Sequence, residues 1–167
     1  MKKIPFRQTT QFGCGSYTLA NLFNEKEFIA KLPTEDGEAL VDLNKKLSEG
    51  GLSIYPLFLT KLEFRVGNRF DKANVSFFSD KMEGMDSGLV PYLISFARPS
   101  GALHYLGLIR NLATGKWYVV DSCEEEVFEV EILWFIKNYH IISVSLLFSD
   151  RHNQFVAFVP EESGHLI

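Results

Sequence analysis

Acyl-transfer chemistry without a metal needs a nucleophile, a base and a group that orients the base, and this chain offers one set in a suggestive order. Cys14 stands in the run Gln8-Thr9-Thr10-Gln11-Phe12-Gly13-Cys14-Gly15-Ser16. Directly after it Tyr17, Leu19, Ala20, Leu22 and Phe23 recur at three- and four-residue spacings, which predicts a largely buried helix over 14–23. A cysteine at the first turn of a helix meets unsatisfied backbone N–H groups and the positive end of the helix dipole, both of which favour the nucleophilic thiolate. Cys14 is therefore the candidate nucleophile, although a cysteine there also packs as a small apolar residue. Gln8 lies six residues earlier, in the segment that feeds the helix, so its amide can join the Cys14 N–H as an oxyanion hole; Gln11 is the rival for that role.

His104 is the candidate base. It sits in Ala102-Leu103-His104-Tyr105-Leu106-Gly107-Leu108-Ile109, a predicted strand, whereas His140, His152 and His165 fall in late, polar or terminal surroundings. Asp121 ends the strand Trp117-Tyr118-Val119-Val120-Asp121, seventeen residues after His104. A glycine-containing hairpin loop over Asn111-Leu112-Ala113-Thr114-Gly115 folds that strand back beside the first, so the open ends carrying His104 and Asp121 lie side by side. An aspartate so placed can hold one ring nitrogen while the other faces the thiol. Cys123, two residues on, would share a face with Asp121 on a continuing strand, as a second reactive thiol near the site or, more simply, as a passive neighbour.

These residues need elements to position them. A second helix is predicted from about Asp36 to Ser48, with Ala39, Leu40, Leu43 and Leu47 as its apolar stripe and Lys45 and Lys46 beside it, stopped by Gly50-Gly51. Ser53 is read as the cap of a third helical segment reaching about Leu62, with Pro56 restricting its first turn. Beyond Phe64 the segments 75–79, 89–97, 103–110, 116–121, 141–148 and 154–159 are short, β-branched or aromatic and bounded by turn formers, as strands are; Val130–Tyr139 is read as one helix among them. Helices first and a mostly antiparallel sheet after make an α+β fold, and with no repeat or break in composition residues 1–167 are read as a single domain.

Composition narrows the function classes. With 46% hydrophobic residues and a formal charge of -4, the chain has a globular profile and no global positive field to draw it to nucleic acid or an acidic membrane surface. Two cysteines are too few for a disulfide scaffold or a four-cysteine zinc site. Pro5, Arg7 and Gln8 interrupt any signal-type apolar run after Met1-Lys2-Lys3, and no apolar stretch approaches the roughly 20 residues of a membrane span, so a cytoplasmic protein with reduced thiols and no membrane insertion is expected. Phosphate-binding and dinucleotide fingerprints are missing from the sequence, as is a His/Cys metal cluster.

Taken in order, Gln8, Cys14-Gly15, His104-Tyr105 and Asp121 resemble the pattern of the papain-like cysteine peptidases. About 90 residues separate Cys14 from His104, against roughly 130 or more in papain-type enzymes proper, and within the superfamily the chain is similar to the compact bacteriocin-processing peptidases, the double-glycine leader peptidase domains often fused to ABC exporters. The likeness covers roughly residues 5 to 148. Gly13, Ser16 and Ser122 stand where that family usually has an acidic residue, an alanine and a proline. The resemblance implies a papain-like fold with N-terminal helices packed on the sheet, no cofactor, and hydrolysis of a peptide or protein substrate by a Cys14, His104, Asp121 triad with Gln8 in the oxyanion hole. A deamidase or acyltransferase using the same triad, or a papain-like module that only binds a peptide or protein, are the alternatives. Leu47-Ser48-Glu49-Gly50-Gly51 is similar to a double-glycine cleavage signal, but Ser48 falls where such leaders carry an apolar anchor, and the glycines are read as a helix stop.

Overall fold

The computed structural model describes residues 2–49, 52–59 and 89–149. Within them three helices and a short 3-10 turn accompany a six-stranded sheet in the α+β arrangement. The first helix, α1, spans Cys14–Phe23, and the 3-10 turn Lys26–Ile29 follows it. Helix α2 covers Leu40–Glu49 and α3 covers Ile132–Asn138. The strands are β1 Leu52–Leu59, β2 Leu89–Ala97, β3 Leu103–Asn111, β4 Trp117–Val120, β5 Phe128–Val130 and β6 His140–Ser149. They lie in the order β1-β6-β2-β3-β4-β5, every neighbouring pair antiparallel.

Side-chain alternation along the strands divides the apolar residues between the two faces of the sheet. Leu93, Ile109, Tyr118, Val120 and Leu147 point to the face shared with Leu19, Leu22 and Phe23 of α1 and Leu43 and Leu47 of α2. Val90, Tyr92, Ile94, Leu106, Leu108, Trp117 and Val119 point to the other, where they meet Phe135 and Ile136 of α3. Helix α1 is buried on all sides from Gly15 to Phe23, which explains its lack of a polar stripe. It rests on β3, and Gly107 makes that approach possible: a Cβ there would sit 2.8 Å from Leu22 Cδ2.

Three expectations are corrected. The segment read as a third helix from Ser53 is the edge strand β1, paired with β6 from Leu52–Ser149 to Leu59–Ser143. Pro56 is compatible with this because an edge strand has one unpaired side, and the register shifts by a bulge between Pro56 and Phe58. The helix expected over Val130–Tyr139 begins only at Ile132, since Phe128–Val130 pairs with β4 first. Helix α2 starts at Leu40 rather than near Asp36; Asp42 reaches back to the Ala39 N–H at 3.0 Å, the N-terminal half of a capping box. The strands expected over 75–79 and 154–159, and the two glycines after α2, lie outside the described residues. The Asn111–Gly115 loop closes the β3–β4 hairpin as expected, with the Gly115 N–H on the Asn111 carbonyl at 2.8 Å. Among the described residues no helix is long and apolar enough to cross a membrane.

Candidate active site

The sheet brings the two strand ends together first. Gly107 and Val120 are the last registered pair between β3 and β4, so Asp121 follows where β4 leaves the ladder and His104 precedes on the facing strand. Across that gap His104 Nε2 and Asp121 Oδ1 lie 2.9 Å apart, with both residues buried. The ring edge packs against Phe96 in a T-shaped contact at 5.4 Å, and Tyr139 abuts Phe96 in turn at 5.1 Å. Hydrogen bond and aromatic wall together restrain the imidazole orientation.

Helix α1 supplies the thiol from the other side. Its N-cap Gly13 has φ 100°, a left-handed conformation that favours glycine in front of the cysteine, and a Cβ there would also press on the end of the Leu32 side chain at 2.9 Å. This accounts for the absence of an acidic side chain at that position. Cys14 is partly accessible, and its Sγ accepts the Tyr105 N–H at 3.4 Å, next to His104 in the chain. Thr18 reinforces the contact by donating to the Cys14 carbonyl at 2.8 Å and the Tyr105 carbonyl at 3.3 Å. Burial works against a charged His104 ring but is overcome by its hydrogen bonds to Asp121 and to the Cys14 thiol and by the charges of both, so the ring is pushed up to about 9. With Nε2 on Asp121, Nδ1 is the nitrogen left to meet the sulfur. Cys14, His104 and Asp121 thus gather as one candidate relay.

Gln8 is delivered by a separate device. Asn21, fully buried in α1, accepts the Phe6 N–H and donates to the Phe6 carbonyl, each at 2.8 Å, pinning the N-terminal segment as a strand partner would. The Gln8 N–H then bonds the Ser122 carbonyl at 2.9 Å. Its side chain accepts from Ser122 Oγ at 3.0 Å and donates one amide hydrogen to the Thr10 carbonyl at 2.9 Å. The structure therefore seats Gln8 against the residues that follow Asp121, while Gln11 is exposed.

Two features differ from the sequence reading. Ser16, noted only as a departure from alanine, is fully buried, and its N–H and Oγ bind the two oxygens of the Glu38 carboxylate at 3.0 and 2.6 Å. Lys46, assigned to the polar side of α2, pairs with Glu38 at 3.0 Å and also donates to Ser16 Oγ and the Lys31 carbonyl. Glu38 thus caps α1 from outside, with its charge offset by a lysine. Ser16, with Thr18 and Asn21, in a helix predicted to be largely buried was the available signal, since a buried polar side chain requires a partner. The second feature is Cys123. No strand continues past Val120; Asp121 instead makes a side-chain turn, accepting the Cys123 N–H at 2.9 Å. That turn carries the exposed thiol back toward the relay, where it contacts Gln8 Oε1 at 3.8 Å and accepts from the Arg98 guanidinium at 3.6 Å. Glu124, Glu125 and Glu126 beside it are all exposed, as expected of a solvated turn.

Compared with known protein families, curated proteins and solved structures, the chain matches none of them.

Proposed function

We propose that this protein is a cytoplasmic cysteine hydrolase of papain-like fold that cleaves a peptide bond in a peptide or protein substrate. The observation that carries the reading is the buried His104–Asp121 pair at 2.9 Å with the Cys14 sulfur beside it on the Tyr105 N–H, gathered from three distant stretches of chain. In the mechanism, His104 takes the Cys14 proton on Nδ1 and the sulfur attacks the substrate carbonyl. Asp121 holds the imidazolium through Nε2 and keeps its orientation. The oxyanion is met by the Cys14 N–H, at a helix position where the helix itself supplies no acceptor, and by the second amide hydrogen of Gln8. His104 then gives its proton to the leaving amine, and water hydrolyses the thioester with the ring again acting as base.

Iodoacetamide labelling at mildly acidic pH tests the nucleophile, because an ordinary thiol is largely protonated there. Rapid modification of Cys14 that disappears in His104→Gln is expected; labelling no faster than that of the same chain in denaturant removes the assignment. Digestion of a peptide library tests the reaction. New N-termini in the wild type and none in Cys14→Ala support peptide cleavage, whereas released ammonia or a transferred acyl group assigns the same relay to a deamidase or acyltransferase.

A further inference from the structure

A His104 ring nitrogen, an Asp121 carboxylate oxygen and Cys123 Sγ all lie within 4.8 Å of one another. A tetrahedral zinc ion with bonds of about 2.0–2.3 Å holds its donors roughly 3.5 Å apart, so the exposed Cys123 side chain has to close in by about 1 Å and the His104–Asp121 pair, 2.9 Å apart, has to widen by about half an ångström. Nitrogen, carboxylate and thiolate are the donor types that a borderline-soft divalent cation selects. Gln8 Oε1, 3.8 Å from the sulfur, stands as a fourth oxygen donor, and the exposed run Glu124–Glu126 adds negative potential at the entrance. Two cations face the site: Arg98, which donates to the sulfur at 3.6 Å and must release it, and Arg7, which reaches the Cys123 carbonyl at 3.5 Å and is paired with Glu125 at 3.7 Å. We propose that His104, Asp121 and Cys123 form a binding site for Zn2+ or a similar divalent ion, and that metal binding and the catalytic relay exclude one another. The exclusion rests on the hydrolase reading above; the metal site does not.

Exclusion follows from counting protons and lone pairs. The Asp121-facing nitrogen, Nε2, binds the metal through its lone pair, which displaces the Nε2 proton and the 2.9 Å hydrogen bond to Asp121. Cys123 binds as thiolate, its proton passing to solvent. The ring is left neutral with its remaining proton on Nδ1, and a ring with metal on one nitrogen and a proton on the other cannot accept the Cys14 proton. Cys123 thus becomes the residue that turns a catalytic pair into a chelate.

Because the chain has only two cysteines, Cys14→Ser leaves Cys123 as the sole thiol. Titrating this variant with Co2+ should give a thiolate-to-cobalt charge-transfer band saturating at one ion per chain. Cys14→Ser with Cys123→Ser should lose the band and bind Zn2+ at least about tenfold more weakly in competition with a chromophoric chelator, the low end of what disturbing even an outer-shell partner costs. No band in Cys14→Ser, or equal Zn2+ affinity with and without Cys123 in the wild-type background, overturns the site. Zn2+ should also slow wild-type hydrolysis, and Cys123→Ser should need at least about tenfold more Zn2+ for the same inhibition. Saturating metal that leaves turnover unchanged overturns the exclusion, while a chain that binds metal but never hydrolyses a peptide fails the hydrolase reading and not the site.

Discussion

Asp121→Asn isolates the charge of the buried pair while keeping its shape. The asparagine carbonyl can still accept both the His104 Nε2–H and the Cys123 N–H, the two bonds that Asp121 Oδ1 makes at 2.9 Å. What is lost is the negative charge that favours a protonated ring. A histidine that titrates at about 9 in the folded state, against 6.5 for the free side chain, stabilises the fold through its proton. The sign follows from proton binding: between those two values the folded chain holds a proton that the unfolded chain has released, so the contribution is complete below pH 6.5 and is lost as pH rises through about 9. At about 1.4 kcal/mol for each tenfold change in proton activity, it amounts to about 3 kcal/mol. Urea unfolding of wild type and Asp121→Asn, repeated from pH 6 to pH 9.5, reads it directly. The stability gap between the two proteins should be widest near pH 6 and narrow by up to about 3 kcal/mol by pH 9.5, because in the asparagine variant only Cys14 still pulls the ring upward, against the same burial. Taking the difference between the two proteins cancels the ionising groups that do not feel the Asp121 charge; Cys123, raised by burial and in part by that charge, is taken out by making the comparison in a Cys123→Ser background. Parallel stability profiles across the whole range would refute the claim that the Asp121 charge holds the His104 proton.

Two further outcomes test the supports of the site. Lys46→Met leaves the Glu38 carboxylate, only 5% exposed, without its cation and should cost about 2–3 kcal/mol by urea unfolding; adding Glu38→Gln should recover most of the loss, as expected for removal of an orphaned charge. Asn21→Leu strips both partners from the Phe6 backbone and should cost about 2 kcal/mol, with faster amide exchange over 6–9. If Gln8 serves the oxyanion, turnover by Asn21→Leu should fall more than its substrate affinity does, and Gln8→Ala should add little in that background.

How far the fold was legible depends on how local each cause is. Cys14–Phe23 was readable as a helix because its apolar spacing and lack of proline act within ten residues. The β2, β3 and β6 strands were readable because β-branched and aromatic residues cluster between turn formers. Leu52–Leu59 was misread because a short apolar run has no decisive period, and only the antiparallel pairing offered by β6 makes it a strand. Lys46 was placed simply beside the apolar stripe of its helix, and Glu38 drew no reading, because nothing near them in the chain shows that a buried serine waits on another helix.

The sequence by itself determined the residue types and their order: one cysteine at a helix start, one histidine on a strand, one aspartate at the end of the next, and a hairpin loop that makes the last two neighbours. Tertiary structure alone decided the rest, because distances between side chains far apart in the chain depend on register and packing. It fixed the 2.9 Å between His104 and Asp121, the φ of 100° at the glycine before Cys14, the Asn21 clamp that draws Gln8 to Ser122, and the turn that brings Cys123 back beside Asp121. Helix and hairpin propensities operate over a few residues, whereas the directions of the Cys14, His104 and Cys123 side chains follow from where a helix and a sheet edge meet.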